Sequence, residues 1–492
     1  MQTRTLLIAL MGLFLSFPAV AHQSAPDQDT PPNFVLIFID DMGYADPGCF
    51  GAAIPDTPTI DDLAKRGLRF TSFYAVQAVC SASRAGLMTG CYANRVSVFG
   101  ALMPWSKNGL HPDEMTIAEV LKQRGYATAA VGKWHLGHHK QFLPLQQGFD
   151  EYLGLPYSND MWPVDFDGTP LTEENPRGKA WKLKYPQLPL IDGDETVDRI
   201  LDLKGQDTLT TRYTERAVSF IENNCDRPFF LYLAHSMVHV PLGVSDTFRG
   251  TSENGLFGDV LRELDWSVSE VVKTLRACGV EDNTLIMFIS DNGPWMNFGN
   301  HAGSAGPLRE GKGCMWEGGA RVPCIAYWPG RIEPGREYTH MATTMDVLPT
   351  IASLADVPLP ERKIDGTSLV PVLFAADTDD VPTVRRQFFY YYGRKLCAVR
   401  EGKWKLVLPH EYRSYEGVEP GMDGFPGPYS RGTVTEPELY DLEADVGEQN
   451  NVAADHPDLV DHLLELAGMA RASLGDQGVA GSEQRPAGRA EE

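Results

Sequence analysis

A near-continuous apolar run close to the start of the chain, NFVLIFIDDMG, constrains the fold more than any other segment. Residues 34–39 carry no polar side chain and are followed at once by Asp40 and Asp41. A strand that is apolar on both faces must be covered on both, as in the parallel sheets of α/β proteins. The sequence therefore predicts a buried parallel strand whose carboxyl end meets two acidic side chains.

Helical and apolar segments alternate along the chain and indicate the same fold class. TIAEVLKQRG precedes the apolar YATAAVG, and TERAVSFIENN and DVLRELDWSVSEVVKTLRACG likewise precede PFFLYLA and NTLIMFIS. Such alternation predicts an α/β fold with a large, mostly parallel sheet flanked by helices. Later in the chain, RQFFYYYGRKLCAVREGKWKLVLP predicts a short antiparallel sheet and DLVDHLLELAGMARASL a closing helix.

Four regions follow from these patterns. Residues 1–21 have the basic start, apolar run and small-residue end of a signal peptide, which predicts export to a periplasm or the extracellular space. A catalytic domain is expected over 22–380 and a smaller C-terminal α+β subdomain over 381–474. Residues 475–492 are rich in Gly, Ala, Glu and Arg and are expected to form a disordered tail. No other apolar stretch approaches 18 residues, so no membrane anchor is predicted.

Charge and cysteine content exclude several function classes. The formal net charge of −23 argues against general binding to nucleic acids or anionic membranes, because both require a basic surface. An anionic substrate would need its own local cluster of cations. Eight cysteines are too few for a scaffold built on disulfides, although an oxidising compartment permits some bridges.

Oxygen donors and basic side chains collect at the predicted ends of four strands, where ligands bind in open α/β sheets. The four pairs are Asp40 and Asp41, Lys133 and His135, His235 and His239, and Asp291 and Asn292. The acidic set offers only hard oxygens, which suit Ca²⁺ or Mg²⁺ and suit Zn²⁺ poorly. The alternative is that these residues merely begin the turns before Gly43 and Gly293.

The basic residues differ in what they suggest. Lys133 and His135 would face the same side of an extended segment. His239 precedes Pro241 and is expected in an extended loop, whereas a structural role is expected for His235. The glycine-rich GPLREGKGCMWEGG would let the backbone and the ammonium group of Lys312 approach an anion.

The segment VCSASRAGLMTG, residues 79–90, places Cys80 at the start of a short predicted helix. Ser81, Ser83 and Arg84 make that helix start polar and cationic, an environment that stabilises anions and activates thiols. The alternative is an inert buried thiol or half of a disulfide.

Together these motifs resemble the formylglycine-dependent (type I) sulfatases of the alkaline phosphatase-like superfamily. CSASRAGLMTG resembles their Cys-x-Pro-Ser-Arg signature, in which the cysteine is oxidised to an aldehyde. The likeness continues through FVLIFIDDMGYADPGCFG, SDNGP and GPLREGKGCMWEGGARVPCIAYWPG, in the order of the arylsulfatase A and N-acetylgalactosamine-6-sulfatase branch. Ala82 stands where the signature has proline, so the resemblance does not say which maturase would act on Cys80.

The resemblance implies an alkaline phosphatase-like fold and the hydrolysis of sulfate monoesters, from a sulfated carbohydrate or an aryl sulfate. It implies that a formylglycine-generating maturase converts Cys80 to formylglycine, whose hydrate contacts a bound Ca²⁺, or alternatively Mg²⁺. The implied metal ligands are Asp40, Asp41, Asp291, Asn292 and the side chain at position 80. Arg84 would orient the hydrate, and the implied sulfate contacts are Lys133, Lys312, His239 and Ser158.

A catalytic cycle follows as a hypothesis. Cations must surround a sulfate monoester before attack, because its oxygens repel a nucleophile. One hydroxyl of the hydrate would attack sulfur while His239 protonates the departing alcohol. His135, with Lys133 nearby, would then help to deprotonate the second hydroxyl, so that inorganic sulfate is expelled.

Two alternatives remain open at this stage. One is a phosphodiesterase or phosphonate hydrolase of the same fold, although the extra Asp and His ligands of two-zinc members are not found in the sequence. The other is a non-catalytic glycan-binding relative in which Ala82 prevents conversion of Cys80. With Cys80 converted, at most three disulfides form from the remaining cysteines. The sequence specifies neither their pairing, nor the oligomeric state, nor the ester that is cleaved.

The cleft walls that select the ester are expected in four loops: residues 98–110, 157–195, 242–258 and 410–435. Trp105, Trp162 and Trp181 are candidates for stacking on sugar rings, and the alternative is that they only pack against the protein.

Overall fold

The apolar run near the amino terminus forms a central strand of a large sheet. A computed structural model describes residues 31–375 and 382–491. The predicted signal peptide lies outside the described residues. The predicted boundary near residue 380 adjoins the gap at 376–381 and stays a prediction.

The strands are, in chain order, β1 Asn33–Ile39, β2 Leu68–Tyr74, β3 Asn108–Gly109, β4 Ala127–Gly132, β5 Glu151–Gly154, β6 Leu188–Asp192, β7 Glu195–Ile200, β8 Phe229–Ala234, β9 Thr284–Ser290, β10 Arg321–Tyr327, β11 Arg336–Tyr338, β12 Ala342–Thr343, β13 Gln387–Tyr392, β14 Lys395–Glu401, β15 Trp404–Val407, β16 His410–Ser414, β17 Ser430–Val434, β18 Glu438–Asp441 and β19 Gly488–Arg489.

The α-helices are α1 Pro58–Arg66, α2 Cys80–Thr89, α3 Ile117–Lys122, α4 Leu203–Asp207, α5 Leu209–Asn224, α6 Gly255–Ala277, α7 Glu317–Ala320, α8 Val347–Leu354, α9 Val370–Leu373 and α10 Pro457–Leu474. Short 3₁₀ turns cover Gly48–Phe50, Lys140–Phe142, Pro144–Gln146, Ala180–Lys184, Glu281–Asn283, Met296–His301, Thr344–Asp346 and Ala453–Asp455.

The large sheet has eleven strands and runs in the order β11-β2-β10-β9-β1-β8-β4-β5-β6-β7, with β12 also paired to β2. Its five central strands, β9 to β5 along this path, are parallel. Strand β10 is antiparallel to both of its neighbours, and β6 and β7 close the other edge in antiparallel pairing. The predicted α/β fold with a large, mostly parallel sheet is confirmed.

Side chains that alternate along β1 divide the core between the two faces of this sheet. Phe34, Leu36 and Phe38 pack on one face, with residues of α2, α3 and α8. Val35, Ile37 and Ile39 pack on the other, which α5 and α6 cover. Every residue of β1 is buried. Helices on both faces explain why the run needs no polar side chain.

A second, antiparallel sheet lies in the C-terminal part of the chain, as predicted. Its strand order is β13-β14-β15-β18, and α10 packs on it through Leu463 and Leu466. The same cluster includes Met315 and Trp316, so this sheet lies behind the glycine-rich loop that carries Lys312. A separate hairpin, β16 and β17, extends from it.

The prediction of a disordered tail after Leu474 is wrong for residues 475–491. Strand β19 pairs antiparallel with β3. Arg485 forms an ion pair with the buried side chain of Glu114 at 2.7 Å, and Glu483 forms one with Arg95 at 3.1 Å. The charged residues that suggested a solvated tail instead bind partners on the main body, which composition alone does not reveal.

Among the residues that the structure describes, no helix combines the length and the apolarity needed to cross a membrane.

Candidate active site

The carboxyl ends of β1 and β9 bring two predicted pairs together. Asp40 and Asp41 follow β1, and Asp291 and Asn292 follow its parallel neighbour β9. The backbone N–H of Asp41 donates to Oδ1 of Asp291 at 3.1 Å. The side-chain amide of Asn292 donates to Oδ1 of Asp41 at 2.7 Å. All four side chains are buried, so they form one cluster rather than two separate turns.

Cys80 and His239 join this cluster. Ligand atoms of Asp40, Asp41, Cys80 and His239 all lie within 4.8 Å of one another. Asp291 is set further back, with Oδ2 accepting from Arg84 at 2.9 Å. The structure therefore brings together the predicted donors from β1, the predicted nucleophile and the predicted acid.

Two oxygens in the cluster suit a cation. Within the described part of the chain, Oδ1 of Asp40 and Oδ1 of Asn292 are buried and accept no hydrogen bond. Buried polar atoms are rarely left without a partner in folded proteins. Both are hard oxygen donors, and a divalent ion such as Ca²⁺ would satisfy them. The donor set thus fits the predicted metal.

The carboxylates repel one another in this buried setting. Burial and the neighbouring Asp40 raise the pKa of Asp291 to about 7. Burial also acts to raise the pKa of Asp40, but Lys133, His239 and Arg84 together hold it well below its usual range. Two neighbouring acids with opposite shifts mark a site where positive charge is needed to keep both ionised.

Arg84 ties the helix of Cys80 to this cluster. It is fully buried, and its guanidinium donates to the carbonyl of Lys133 at 2.7 Å as well as to Asp291. Its Nε has no partner among the described residues. Because Arg84 follows Cys80 by four residues on α2, both side chains lie on one face of the helix.

The two predicted sulfate-binding lysines lie on either side of the carboxylates. Lys133 follows β4, pairs with Asp40 and donates to Ser158 Oγ at 3.2 Å. Lys312 pairs with Asp41 Oδ2 at 2.7 Å. Both are buried. Together with Arg84 they supply the local cations that the net charge of the chain does not.

His239 and Ser158 complete this side of the site. Nδ1 of His239 lies 2.7 Å from the carbonyl oxygen of Val240, which only accepts, so Nδ1 carries the proton. Nε2 then faces the site, 3.3 Å from Ser158 Oγ and 3.6 Å from Asp41. Burial and Lys312 lower the pKa of His239.

His135 reaches the site differently from the prediction. The segment after β4 is not extended there, because His135 adopts a left-handed φ of 60°. Its Nε2 lies 3.0 Å from the carbonyl oxygen of Leu102, which leaves Nδ1 as the acceptor atom. Nδ1 has no partner among the described residues, and burial, with Lys133, lowers the pKa of His135 well below its usual value. His235 bonds Ser267 at 3.1 Å, in keeping with its predicted structural role.

Cys80 begins α2, as predicted, but its thiol is not activated. Burial raises the pKa of Cys80 to about 12, outweighing the attraction of Lys133 and Lys312. Unmodified Cys80 would therefore be a poor nucleophile. Ala82 supplies a backbone N–H that donates to the carbonyl of Gly100 at 3.2 Å, a bond that proline cannot make.

Trp295 is a site residue that none of the sequence motifs indicated. Its ring centroid lies 5.2 Å from that of His239, and Nζ of Lys312 lies 4.4 Å above its ring. It follows Asn292 by only three residues, so its place in the same strand-end loop was the available clue.

The three tryptophans proposed for sugar stacking differ in exposure. Trp162 is buried and not available for stacking. Trp105 and Trp181 are 53% and 51% exposed, and both contact the ring of Tyr185, Trp105 in parallel stacking and Trp181 edge-on.

None of the eight cysteines, all of which lie in the described part of the chain, is in a disulfide.

Models of known protein families match this chain over most of its length. The family model described as Sulfatase matches residues 32–357. Models described as the C-terminal region of N-sulphoglucosamine sulphohydrolase and of aryl-sulfatase match residues 311–417 and 383–484.

Similar proteins are found among both curated and solved ones. Human arylsulfatase A is 38% identical over 89% of this chain and 87% of its own, and dog N-acetylgalactosamine-6-sulfatase is 36% identical over 89% and 84%. The crystal structure of the PsFucS1 sulfatase from Pseudoalteromonas sp. superposes with a TM-score of 0.79 at 27% identity, covering 90% of this chain and 91% of that one. Ps i-CgsB in complex with k-i-k-neocarrahexaose gives a TM-score of 0.72 at 28% identity, over 89% and 92%. The phosphonate monoester hydrolase of Agrobacterium radiobacter, at 18% identity and a TM-score of 0.57, shares the fold.

Proposed function

The chain belongs to the sulfatase family and is a sulfuric ester hydrolase, and we propose that it is an exported enzyme that releases inorganic sulfate from sulfated carbohydrates. In this proposal Cys80 is converted to formylglycine, and Ca²⁺, or Mg²⁺ in its place, is bound at the ends of β1 and β9.

Position 80 is the proposed nucleophile. A thiol whose pKa burial raises to about 12 is not poised to attack, which favours a converted side chain over the cysteine itself. The hydrated aldehyde supplies two hydroxyls on one carbon, the first for attack on sulfur and the second for release of sulfate.

The proposed metal ligands are Asp40, Asp41, Asp291, Asn292 and the side chain at position 80. Support comes from the two buried oxygens of Asp40 and Asn292 that lack a hydrogen-bond partner within the described residues. When bound, the cation favours an ionised oxygen at position 80 and withdraws charge from the sulfate group.

Lys133, Lys312, Ser158 and Arg84 position the reacting groups in this proposal. The two ammonium groups would hold the sulfate oxygens, where buried charges interact much more strongly than in water. Ser158 would be a weaker contact to the sulfate, since it already lies within hydrogen-bond reach of Lys133 and His239. Arg84 would donate from its unpartnered Nε to an oxygen at position 80.

The histidines divide the proton transfers. His239 presents Nε2 to the site and would protonate the leaving alcohol, and the charge of a bound sulfate ester would oppose the effects that lower its pKa. His135 presents an unpartnered Nδ1, and its lowered pKa keeps it neutral, as a general base must be.

A carbohydrate substrate fits the surface near the site. The backbone N–H of Leu102 donates to Ser81 and its carbonyl oxygen binds His135, and Trp105 follows three residues later in the same loop. Trp105 and Trp181 offer exposed ring faces of the kind that stack on sugars. One structural relative, PsFucS1, is named as a sulfatase, and another, Ps i-CgsB, is in complex with the carbohydrate k-i-k-neocarrahexaose, which supports a carbohydrate substrate here.

Export remains a prediction from residues 1–21, which lie outside the described part of the chain. The observation that carries the proposal as a whole is the convergence of Asp40, Asp41, position 80 and His239 within 4.8 Å, flanked by two buried lysines.

The test combines two measurements on protein co-expressed with a formylglycine-generating maturase. Mass spectrometry of the peptide that contains residue 80 should show the aldehyde, and ion chromatography should show sulfate release from a panel of sulfated mono- and oligosaccharides. An unmodified thiol with no release would favour the non-catalytic glycan-binding alternative. Faster hydrolysis of phosphate diesters or phosphonates than of sulfates would favour the phosphodiesterase alternative.

A further inference from the structure

A cavity of about 570 Å³ lies beside the loop of Lys312, outside the cluster described above. It is bounded by the residues that follow Lys312, by the strand pair β13 and β14, and by the hairpin of β16 and β17. Its lining includes Gly313, Tyr392, Lys395, Arg413 and Tyr429. This volume falls within the range of small-molecule sites, about 300–1,000 Å³.

The charge of this cavity is opposite to that of the chain. Its wall carries Lys395, Arg413 and Arg431 and a single carboxylate, Glu411, which faces Arg431 at 3.9 Å. Within the described residues, no carboxylate lies within ion-pair distance of Lys395 or Arg413. In a chain of net charge −23, two cations left without an acidic partner on one concave wall indicate an anionic ligand.

Arg413 is held in place rather than free to move. Its guanidinium lies over the ring of Tyr429, 4.2 Å from the centroid. It also packs against the backbone of Gly313, where an added Cβ would lie 2.8 Å from Nη1. Gly313 has a φ of +96°, a backbone conformation that favours glycine at this position beneath the guanidinium.

A continuous row of side chains joins the cavity to the catalytic cluster. The ring of Trp295 contacts His239, and its indole N–H donates to the hydroxyl of Tyr429. The guanidinium of Arg413 in turn lies over the ring of Tyr429. On the other side, Tyr415 donates to the carbonyl oxygen of Lys312 at 2.5 Å, which fixes the loop between cluster and cavity.

From this arrangement we propose that the cavity is a second subsite, which binds the anionic group of a sugar unit neighbouring the one whose sulfate is cleaved. Arg413 and Lys395 bind the sulfate or carboxylate of that unit, and the rings of Tyr392 and Tyr429 contact its apolar face. The subsite rests on the proposed function, since it assigns the substrate to oligosaccharides that carry charge on adjacent sugars.

The experiment compares three substrates on the converted enzyme: a chromogenic aryl sulfate, a disaccharide sulfated on one ring, and the same disaccharide with a second sulfate on the other ring. In the wild type, kcat/KM should favour the doubly sulfated disaccharide over the singly sulfated one. Arg413→Gln should lower that preference at least tenfold, mainly through KM, because hydrogen bonds to charged groups contribute most to binding. Arg413→Lys should recover part of it.

Lys395→Gln is the second variant, in case Arg413→Gln does not fold, and should also lower the preference. The matched control is Arg331→Gln, because Arg331 is exposed and stacks on Trp328 away from the cavity. It should leave both the preference and aryl sulfate hydrolysis unchanged. A disaccharide with a uronate in place of the second sulfate distinguishes the two sources of charge.

A binding measurement separates failure of the subsite from failure of the proposed function. In a Cys80→Ala background, which needs no turnover, calorimetry should show at least tenfold weaker binding of the doubly sulfated disaccharide when Arg413→Gln is added. Unchanged affinity, or equal affinity for the singly and doubly sulfated sugars, would overturn the subsite. Wild-type protein that releases sulfate from no ester would instead overturn the proposed function.

Discussion

At the scale of single residues, Ser81 shows how the nucleophile helix is attached to the loop beside it. Its hydroxyl accepts a hydrogen bond from the backbone N–H of Leu102 at 3.0 Å, in a buried setting. The carbonyl of Leu102 holds His135. One hydroxyl therefore aligns the loop, the helix and the proposed base.

Ser81→Ala should lower the free energy of unfolding by about 1–3 kcal/mol, because it leaves a buried N–H without its acceptor. Urea denaturation of the unconverted protein measures the change. Ser83→Ala is the control: Ser83 is a buried neighbour whose hydroxyl has no partner among the described residues, and its loss should change stability by less than about 0.5 kcal/mol. Equal effects of the two substitutions would contradict this account.

His239→Ala should lower kcat by about 10²–10⁴ for a sugar sulfate with a poor leaving group, since it removes the proposed acid. The loss should be much smaller for an aryl sulfate, whose phenolate leaves without a proton. Initial rates on both substrates give the comparison. If the two substrates lose activity to the same extent, His239 binds sulfate but does not protonate the leaving oxygen.

At the scale of elements, the site follows from where strands end. The sequence predicts β1 and β9 because strands covered on both faces consist almost entirely of apolar residues. It also predicts that the polar side chains just after these strands lie together, since the carboxyl ends of neighbouring parallel strands meet at one edge of the sheet. The position of Trp295 in the site and the backbone turn at His135 could not be predicted from the sequence, because both depend on how loops fold over the sheet. The pairing of β19 with β3 could not be predicted for a similar reason. The two strands are distant in sequence, and the composition of the segment that contains β19 resembles that of a solvated tail.

Lys405 on β15 joins the C-terminal sheet to the glycine-rich loop. Its ammonium group donates to the carbonyl of Met315 at 2.9 Å and pairs with Glu317 at 3.1 Å and Glu448 at 2.7 Å, and all three charged side chains are buried. A buried ion pair contributes little net stability, but removing Lys405 leaves Glu448 with no ion-pair partner among the described residues and Glu317 with only Arg321, at 3.7 Å.

Lys405→Met should therefore destabilise the protein by about 3–5 kcal/mol near pH 8. The loss should shrink toward pH 5, because without the lysine the folded-state pKa values of Glu317 and Glu448 rise, and a raised carboxyl pKa favours the folded state at low pH. Chemical denaturation at the two pH values tests this. Lys403→Met removes a partly exposed lysine that pairs with Asp441 at 2.6 Å, and it should lower stability far less than Lys405→Met at either pH.

At the scale of the whole molecule, a cation at the active site would link strands from the middle of the large sheet. Ligands would come from the ends of β1 and β9 and from α2, so cation binding should stabilise the entire sheet against unfolding. A ligand that binds only the folded state at a hundred times its Kd adds about 2.7 kcal/mol.

Addition of Ca²⁺ to protein first treated with a chelator should raise the thermal unfolding midpoint, and Asp40→Asn should abolish the rise. Asp198→Asn, which changes an exposed carboxylate paired with Arg212, should leave it intact. Differential scanning calorimetry across a Ca²⁺ titration is the measurement. A rise that persists in Asp40→Asn would place the ion elsewhere.

The near-complete enclosure of residue 80 has a consequence for the order of events during synthesis. Cys80 is 2% exposed, and every residue of its helix is buried. Under the proposed conversion of Cys80, a maturase could not reach a sulfur atom enclosed in this way, so the oxidation would take place while the polypeptide is still unfolded. A molecule that folded first would then keep an unconverted thiol, and the relative rates of maturation and folding would decide how many copies become active.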